Sequence, residues 1–342
     1  YEKLQSFHDP ISKKPLNKDN IDLNIICKNG HANISLAINP SNQKKYEEIC
    51  INIKNTLNNI KELLSINIVL TSEKNPSSSS SDFSLSENKR FKIKAKNIIA
   101  IASGKGGVGK STFAVNFAVA LKKMGLNIGI LDADIYGPSV PRMMGISGRP
   151  QANENKKLIP LESYGIKCMS IGFLVGVDTP TIWRGPMVMK ALEQMFSGVE
   201  WGELDYLIID LPPGTGDAQL TLAQSSKLSG AIIVSTPQDV ALIDARKGIN
   251  MFKRVEVPVL GIVENMSYFI CDKCDARHEI FSNGGAKKEA EKFQTNFLGE
   301  LPIDKNLRIY SDEGRPVCIS EPDSKIAKLY LEIAEKIHSN FK

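Results

Sequence analysis

The hydrophobic pattern of the chain changes character near residue 97. Before that point Ile21, Leu23 and Ile25 alternate with polar residues, and Ile34, Leu36 and Ile38 do the same. Period-2 alternation predicts half-buried strands. Tyr46, Ile49, Ile53, Leu57 and Ile60 then recur at helical spacing, and Ile66, Ile68 and Leu70 alternate again. This strand, strand, helix, strand order predicts a small α+β domain over residues 1–74. Beyond residue 97 the apolar runs are continuous, at Asn97–Ala102, Asn127–Leu131, Tyr206–Ile209, Ala231–Val234 and Val259–Val263. Such runs belong to strands buried on both faces. Helical stretches lie between them: Phe113, Phe117, Leu121 and Met124 share one face, and Pro186–Phe196 and Val240–Lys253 follow. The alternation predicts an α/β domain over residues 97–342, with a mostly parallel sheet covered by helices on both faces and ligands at the carboxyl ends of its strands. Residues 75–96 join the two. Pro76, the serines Ser77 to Ser81 and the cluster Lys89, Arg90, Lys92, Lys94 and Lys96 cannot bury enough apolar surface to order themselves, so this segment reads as a flexible linker.

Composition narrows the function classes. A chain of 342 residues is long enough for two cores. The net charge of +5 is small, so the basic cluster is read as a solvated linker end, with no specific nucleic-acid partner. No apolar run reaches membrane-spanning length, and no membrane partner is expected. Six irregularly spaced cysteines do not form a disulfide framework, which favours a reducing compartment. The cytoplasm fits, as does a mitochondrial matrix or plastid stroma given an upstream transit peptide.

Directly after the first continuous run, Gly104 opens and Gly109, Lys110 and Ser111 close the pattern G-x-x-x-x-G-K-[ST], a phosphate-binding loop. Gly104, Gly106, Gly107 and Gly109 let successive N–H groups, including those of Val108 and Thr112, face an anion, and the following helix adds its positive end. Lys110 reaches the β- and γ-phosphates, and Ser111 offers its hydroxyl to Mg2+. Two further strand ends carry carboxylates. Asp132 and Asp134 stand in Leu131-Asp132-Ala133-Asp134-Ile135-Tyr136-Gly137-Pro138-Ser139, and Asp210 precedes Leu211-Pro212-Pro213-Gly214-Thr215-Gly216-Asp217. An aspartate after an apolar strand is the Walker B arrangement, holding Mg2+ through water, and the glycine-hinged run behind Asp210 is able to sense the γ-phosphate. No guanine-reading Asn-Lys-x-Asp motif is present, so ATP is the expected nucleotide. Finally, Cys271 and Cys274 form a C-x-x-C pair with His278 close behind. Two thiolates supply half of a four-thiolate site, which a symmetric dimer completes around one 4Fe-4S cluster. Half a zinc site including His278 and a redox dithiol are the other readings of the same residues. Cys27, Cys50, Cys168 and Cys318 are read as structural, and His8, His31 and His338 are given no chemistry.

The second lysine, Lys105, makes the loop resemble the deviant Walker A motif of the MinD/ParA/nitrogenase-iron-protein class. In that class the extra lysine reaches the partner's nucleotide, which implies a homodimer here. The whole set, with Trp183-Arg184-Gly185-Pro186 and Asn265-Met266-Ser267 ahead of the cysteines, resembles the Mrp/ApbC family of iron-sulfur cluster carrier ATPases. The resemblance implies ATP hydrolysis assisted by Lys105, Lys110, Asp134 and Asp210, with Asp134 orienting the attacking water and Asp132 lying close to the magnesium shell. It also places Asn265 and the loop Thr236–Asp239, with Pro237, beside the adenine, and implies cluster donors and apo iron-sulfur clients as partners. The front domain resembles the MIP18-type unit of bacterial Mrp proteins on Asp9-Pro10 and the helix-and-strand ending. Where that family carries a Thr-Pro-x-Cys-Pro turn, this chain reads Asn39-Pro40-Ser41-Asn42-Gln43. The family's Pro after the first cysteine and Gly after the second are Asp272 and Asp275 here. A ParA- or MinD-like positioning ATPase and a nucleotide switch with structural zinc are the alternative functions. The membrane-binding tail that MinD needs is not matched by the last helix, where Ile326, Leu329, Tyr330, Ile333 and Ile337 share a packed face.

Overall fold

A computed structural model describes residues 7–16, 23–28, 31–38, 42–57, 65–72, 93–174 and 185–342. The serine-rich part of the linker, Asn39–Ser41 and Trp183–Arg184 lie outside the described residues. The chain divides into two compact units, 1–83 and 84–342.

In the first unit β1 (Leu23–Lys28) pairs antiparallel with β2 (His31–Ile38), which pairs parallel with β3 (Ser65–Ser72) after the crossover helix α1 (Gln43–Leu57). Ala32, Ile34, Leu36 and Ile38 point from β2 onto Tyr46, Ile53 and Leu57 of the helix, the faces given by alternation and by helical spacing. Asp9 organises the leading loop. Its carboxylate accepts from the backbone of Ile11 (3.2 Å) and Ser12 (2.9 Å), from the Ser12 hydroxyl and from the Tyr46 phenol. Burial opposes its charge, but these donors hold the carboxyl below its ordinary range. Cys50 sits half-buried on α1.

The second unit runs β4 (Ala95–Ala102), α2 (Lys110–Lys123), β5 (Ile128–Asp132), α3 (Val140–Met143), β6 (Leu161–Ser163), β7 (Ile166–Ser170), α4 (Gly185–Ser197), β8 (Leu204–Asp210) and α5 (Asp217–Ser225). It continues with β9 (Gly230–Ser235), α6 (Asp239–Arg254), β10 (Val259–Glu264), β11 (Phe269–Ile270), β12 (Arg277–His278), α7 (Gly285–Phe293) and β13 (Phe297–Glu300). The helices α8 (Lys305–Asp312), α9 (Val317–Ser320) and α10 (Lys325–Ser339) close the chain. Eight strands form one sheet in the order β13-β10-β9-β4-β8-β5-β7-β6, parallel throughout except for the edge strand β6. The α/β architecture expected from the continuous runs is thus present. The strands β6, β7 and β13 were not expected: β6 is a three-residue edge, and Ile166–Ser170 and Phe297–Glu300 mix polar residues or glycine into short runs that carry no periodic signal.

α2 departs from the one-sided helix its spacing predicts. Every residue from Phe113 to Leu121 is buried, because the helix lies between the sheet and the pair α9 and α10. Phe113 stacks on Phe117 at 5.5 Å between centroids and meets Tyr330 of α10 at 5.9 Å. The apolar face of α10 is therefore consumed in the core, and its first turn is capped by Ser324, whose hydroxyl accepts from the Ala327 N–H at 3.2 Å. No helix among the described residues is long and apolar enough to cross a membrane. His338 has a partner: its Nδ1 lies 2.8 Å from the Tyr206 phenol, tying α10 to β8.

β4 sits between β8 and β9, where the order of strands reverses, so the loops following β4, β5 and β8 converge at one edge of the sheet. Truncating the aromatic that anchors α2 behind that edge, Phe113→Ala, is expected to cost about 3–5 kcal/mol. Urea unfolding of the full chain would read this as a lower midpoint, and an unchanged midpoint would contradict the packing described.

Candidate functional site

Residues 103–109 carry the chain from the end of β4 to the start of α2. Gly109 adopts φ +82°, and a Cβ built on it would lie 2.1 Å from Nδ2 of Asn265; at Gly104 a Cβ would lie 2.2 Å from the backbone of Asp244. Only glycine fits at either place, which is the physical content of the motif's first and last glycines. Gly106, Gly107 and Lys105 are exposed, Val108 is buried, and Ser111 and Thr112 are half-buried at the helix start.

Lys110 is buried, and its ammonium donates to Oδ1 of Asp210 at 2.6 Å and to the Ser111 hydroxyl at 3.2 Å. Oδ2 of Asp134 stands 4.0 Å away. Asp132 has a different place. It is fully buried, and its two oxygens accept from the backbone of Asp134 (3.2 Å), Ser139 (3.0 Å) and Val140 (3.1 Å) and from the Ser170 hydroxyl (3.1 Å). Its role in the structure is to fold the 133–140 loop and seat the start of α3. Behind Asp210 the Pro212-Pro213 segment is held by a residue not expected from the sequence, Gln219, whose Nε2 donates to both proline carbonyls at 3.0 and 2.7 Å.

Three carboxylates thus gather near one ammonium inside the fold. Burial and the neighbouring Asp210 charge push the Asp132 carboxyl up to about 7. Burial also raises Asp134 against the pull of Lys110, and raises Asp210 against the same pull. One oxygen of the trio, Asp210 Oδ2, is buried with no hydrogen-bond partner. Surplus negative charge, an orphaned carboxylate oxygen and an adjoining hydroxyl are hard oxygen donors that fit Mg2+, which keeps most of its own waters and needs few protein ligands.

Beside the loop opens a cavity of about 590 Å³ reaching from Gly109 and Thr112 to Asn265, Met266, Pro302 and Ile303. Asn265 is buried and donates to the Val108 carbonyl at 2.8 Å, so it fastens the phosphate loop to the end of β10. Pro237 does not line this cavity. Its carbonyl packs against the Gly285 backbone instead, where a Cβ would lie 3.1 Å away.

The cysteine pair stands on a small hairpin made by β11 and β12. Within it the Cys271 N–H donates to Ala276 and the Asp275 N–H to Cys271, each at 3.0 Å. Cys274 is exposed and Cys271 half-buried. The backbone N–H groups of Lys273 and Cys274 hold the Cys271 thiol below its ordinary range, whereas burial pushes Cys50 and Cys168 up and Cys318 up to about 12. Among the described residues no three His, Cys, Asp or Glu side chains converge as a metal cage, His278 included.

A family model described as "ParA: NUBPL iron-transfer P-loop NTPase" matches residues 94–338. The chain belongs to this family. The iron-sulfur protein required for NADH dehydrogenase of Arabidopsis thaliana mitochondria is 56% identical over 248 residues, 72% of this chain and 79% of the relative. The iron-sulfur cluster transfer protein NUBPL of Dictyostelium discoideum is 56% identical over 244 residues, covering 71% of this chain and 76% of the relative. Among solved structures, a nucleotide-binding protein of Archaeoglobus fulgidus in complex with ADP is 42% identical with a TM-score of 0.61, covering 69% of this chain and 93% of that one. The family match lies within the second unit, and the P-loop NTPase fold carries ATPase chemistry in this NUBPL-family chain.

A pH dependence follows from the buried trio. The fold keeps the proton on Asp132 up to about 7, while an unfolded aspartate releases it at about 4. Folding therefore binds protons in that interval, so this contribution to stability is complete below about pH 4 and is lost as the pH rises through about 7. In metal-free, nucleotide-free protein, Asp132→Asn is expected to flatten the decline in unfolding free energy over that range. An identical pH slope for wild type and variant would contradict the assignment.

Proposed function

We propose that this NUBPL-family ATPase carries a 4Fe-4S cluster between two copies of the chain, ligated by Cys271 and Cys274 of each, and passes it to apo-proteins. The observation that carries the reading is the outward-facing hairpin: it presents two thiols, one held below its ordinary range, with no third His, Cys, Asp or Glu converging on them among the described residues. A second copy supplies the missing pair. The exposed Lys105 fits the same homodimer, since its ammonium has no ion-pair partner among the described residues and is free to reach the other protomer's nucleotide.

ATP is bound by the loop 104–112, with the backbone N–H groups and the start of α2 on the phosphates and the base in the cavity between Asn265, Met266 and Ile303. This adenine seat replaces Pro237 with residues of the cavity wall. Lys110 donates to Asp210. With the phosphates bound, the same ammonium would face them, and Ser111 and Asp210 would hold Mg2+, which would supply positive charge against the charge developing on the transferred phosphoryl group. Asp134, less buried than its neighbours, orients the attacking water. Gln219 keeps the 212–216 hinge in register with the γ-phosphate, so that binding and hydrolysis close and reopen the dimer around its cargo. The cysteine chemistry requires a reducing compartment, and the mitochondrial relative makes the matrix a candidate beside the cytoplasm.

Anaerobic reconstitution with iron and sulfide is expected to give about four of each per wild-type dimer, and none in Cys271→Ala/Cys274→Ala at unchanged far-UV circular dichroism. Zinc alone, or retention of the cluster by the double variant, would overturn the proposal. Lys105→Ala is expected to stay monomeric with ATP where wild type dimerises, as read by light scattering. A variant that still dimerises would remove the role across the interface.

A further inference from the structure

The cysteine hairpin is too small to hold itself in place. Its strands contribute two residues each, and a ribbon of that size is not stable alone. Asp275, directly after Cys274, adds a local cost: its φ of +54° lies in the left-handed region that side chains disfavour. The first strand is fastened to the body through the backbone, since Phe269 bridges Ile303 and the Ile303 N–H donates to Tyr268 at 2.7 Å. β12, which follows the second cysteine, pairs with β11 and is tied to β13 through the side chain of Arg277. Arg277 lays its guanidinium 3.9 Å from the centroid of the Tyr268 ring, places Nη2 2.8 Å from a Glu300 oxygen on β13 and Nε 3.7 Å from Glu279. Arg277 also stands opposite Ile270, the residue that precedes Cys271, in the hairpin register.

A planar cation able to stack on a ring and pair with a carboxylate at once is a property of arginine that lysine does not reproduce. We infer that Arg277 is the positioning residue of the cysteine pair: braced on Tyr268 and Glu300, it holds the return strand and so fixes how Cys271 and Cys274 are presented to their cargo. The inference rests on the reading of these two cysteines as cluster ligands. It extends that reading to a residue outside the C-x-x-C motif, on which retention of the cargo depends. Loss of the brace leaves both thiols present but frees the hairpin to sample geometries in which they do not ligate one cluster together.

The test uses the full chain as wild type, Arg277→Ala and Arg277→Lys. After anaerobic reconstitution, the half-life of the cluster's visible absorption under a fixed concentration of iron chelator is expected to fall roughly tenfold in Arg277→Ala. Arg277→Lys is expected to recover only part of that loss. In cluster-free protein, the amides of Cys271 and Asp275 are expected to exchange with deuterium several-fold faster in Arg277→Ala, at an unchanged thermal midpoint. A wild-type cluster half-life in Arg277→Ala, or wild-type exchange at both amides, would overturn the inference. Should wild type itself take up no cluster, the reading of the cysteines fails, and the exchange measurement still decides whether Arg277 holds the hairpin.

Discussion

The buried pair of Lys110 and Asp210 is the constraint around which the ATPase unit is arranged. A lysine and a carboxylate 2.6 Å apart under a glycine loop are tolerable only because each answers the other's desolvation. Their positions are set by two strands that are neighbours in the sheet although about a hundred residues separate them in sequence: β4 delivers the loop and β8 delivers the aspartate, with Ile101 in register with Asp210. The pair leaves one carboxylate oxygen of Asp210 without a hydrogen-bond partner and two further carboxylates close by.

From that centre, one hydrogen bond and a short stretch of chain lead to the cysteines. Asn265 holds the Val108 carbonyl, and six residues further along the same segment comes Cys271. Directly before Asn265, Glu264 anchors the segment, accepting from the Ser267 hydroxyl at 2.7 Å and from the backbone N–H groups of Gly284 and Ala286 at 3.0 and 2.7 Å. The phosphate loop and the cysteine hairpin are thus the two ends of one short, multiply bonded stretch. Pro302, Ile303 and Asp304 strengthen the connection, because they wall both the cavity beside the phosphate loop and a smaller one of about 300 Å³ beside Cys271. The route from the phosphate loop to Cys271 is therefore short and lies within a single chain.

The chemistry of the site was legible in the sequence to the extent that it depends on contiguous residues. The glycine spacing, the lysine, the serine and the aspartates after apolar runs announced a phosphate loop and its metal side, and the structure brings Lys110, Ser111, Asp134 and Asp210 together. Gln219 and Arg277 were not legible. Each is an ordinary polar residue in its own segment, and each acquires meaning only from a carbonyl, a ring or a carboxylate that folding brings to it. The same holds for the cavity wall at Pro302 and Ile303, which reaches Gly109 and Thr112 only because the segment after β13 folds back beside the phosphate loop.

By itself, then, the sequence determined the parallel α/β architecture, the loop that grips phosphate, the acidic strand ends and the two thiols, since these follow from periodicity and from residue types at fixed local spacing. Tertiary structure alone decided that α2 is enclosed on all sides, that Asp132 builds a loop while Asp134 faces the site, and that burial pushes the Cys168 and Cys318 thiols up. The physical reason is that burial, charge coupling and hydrogen-bond partnership are properties of neighbours in space. In a parallel sheet those neighbours come from distant parts of the chain.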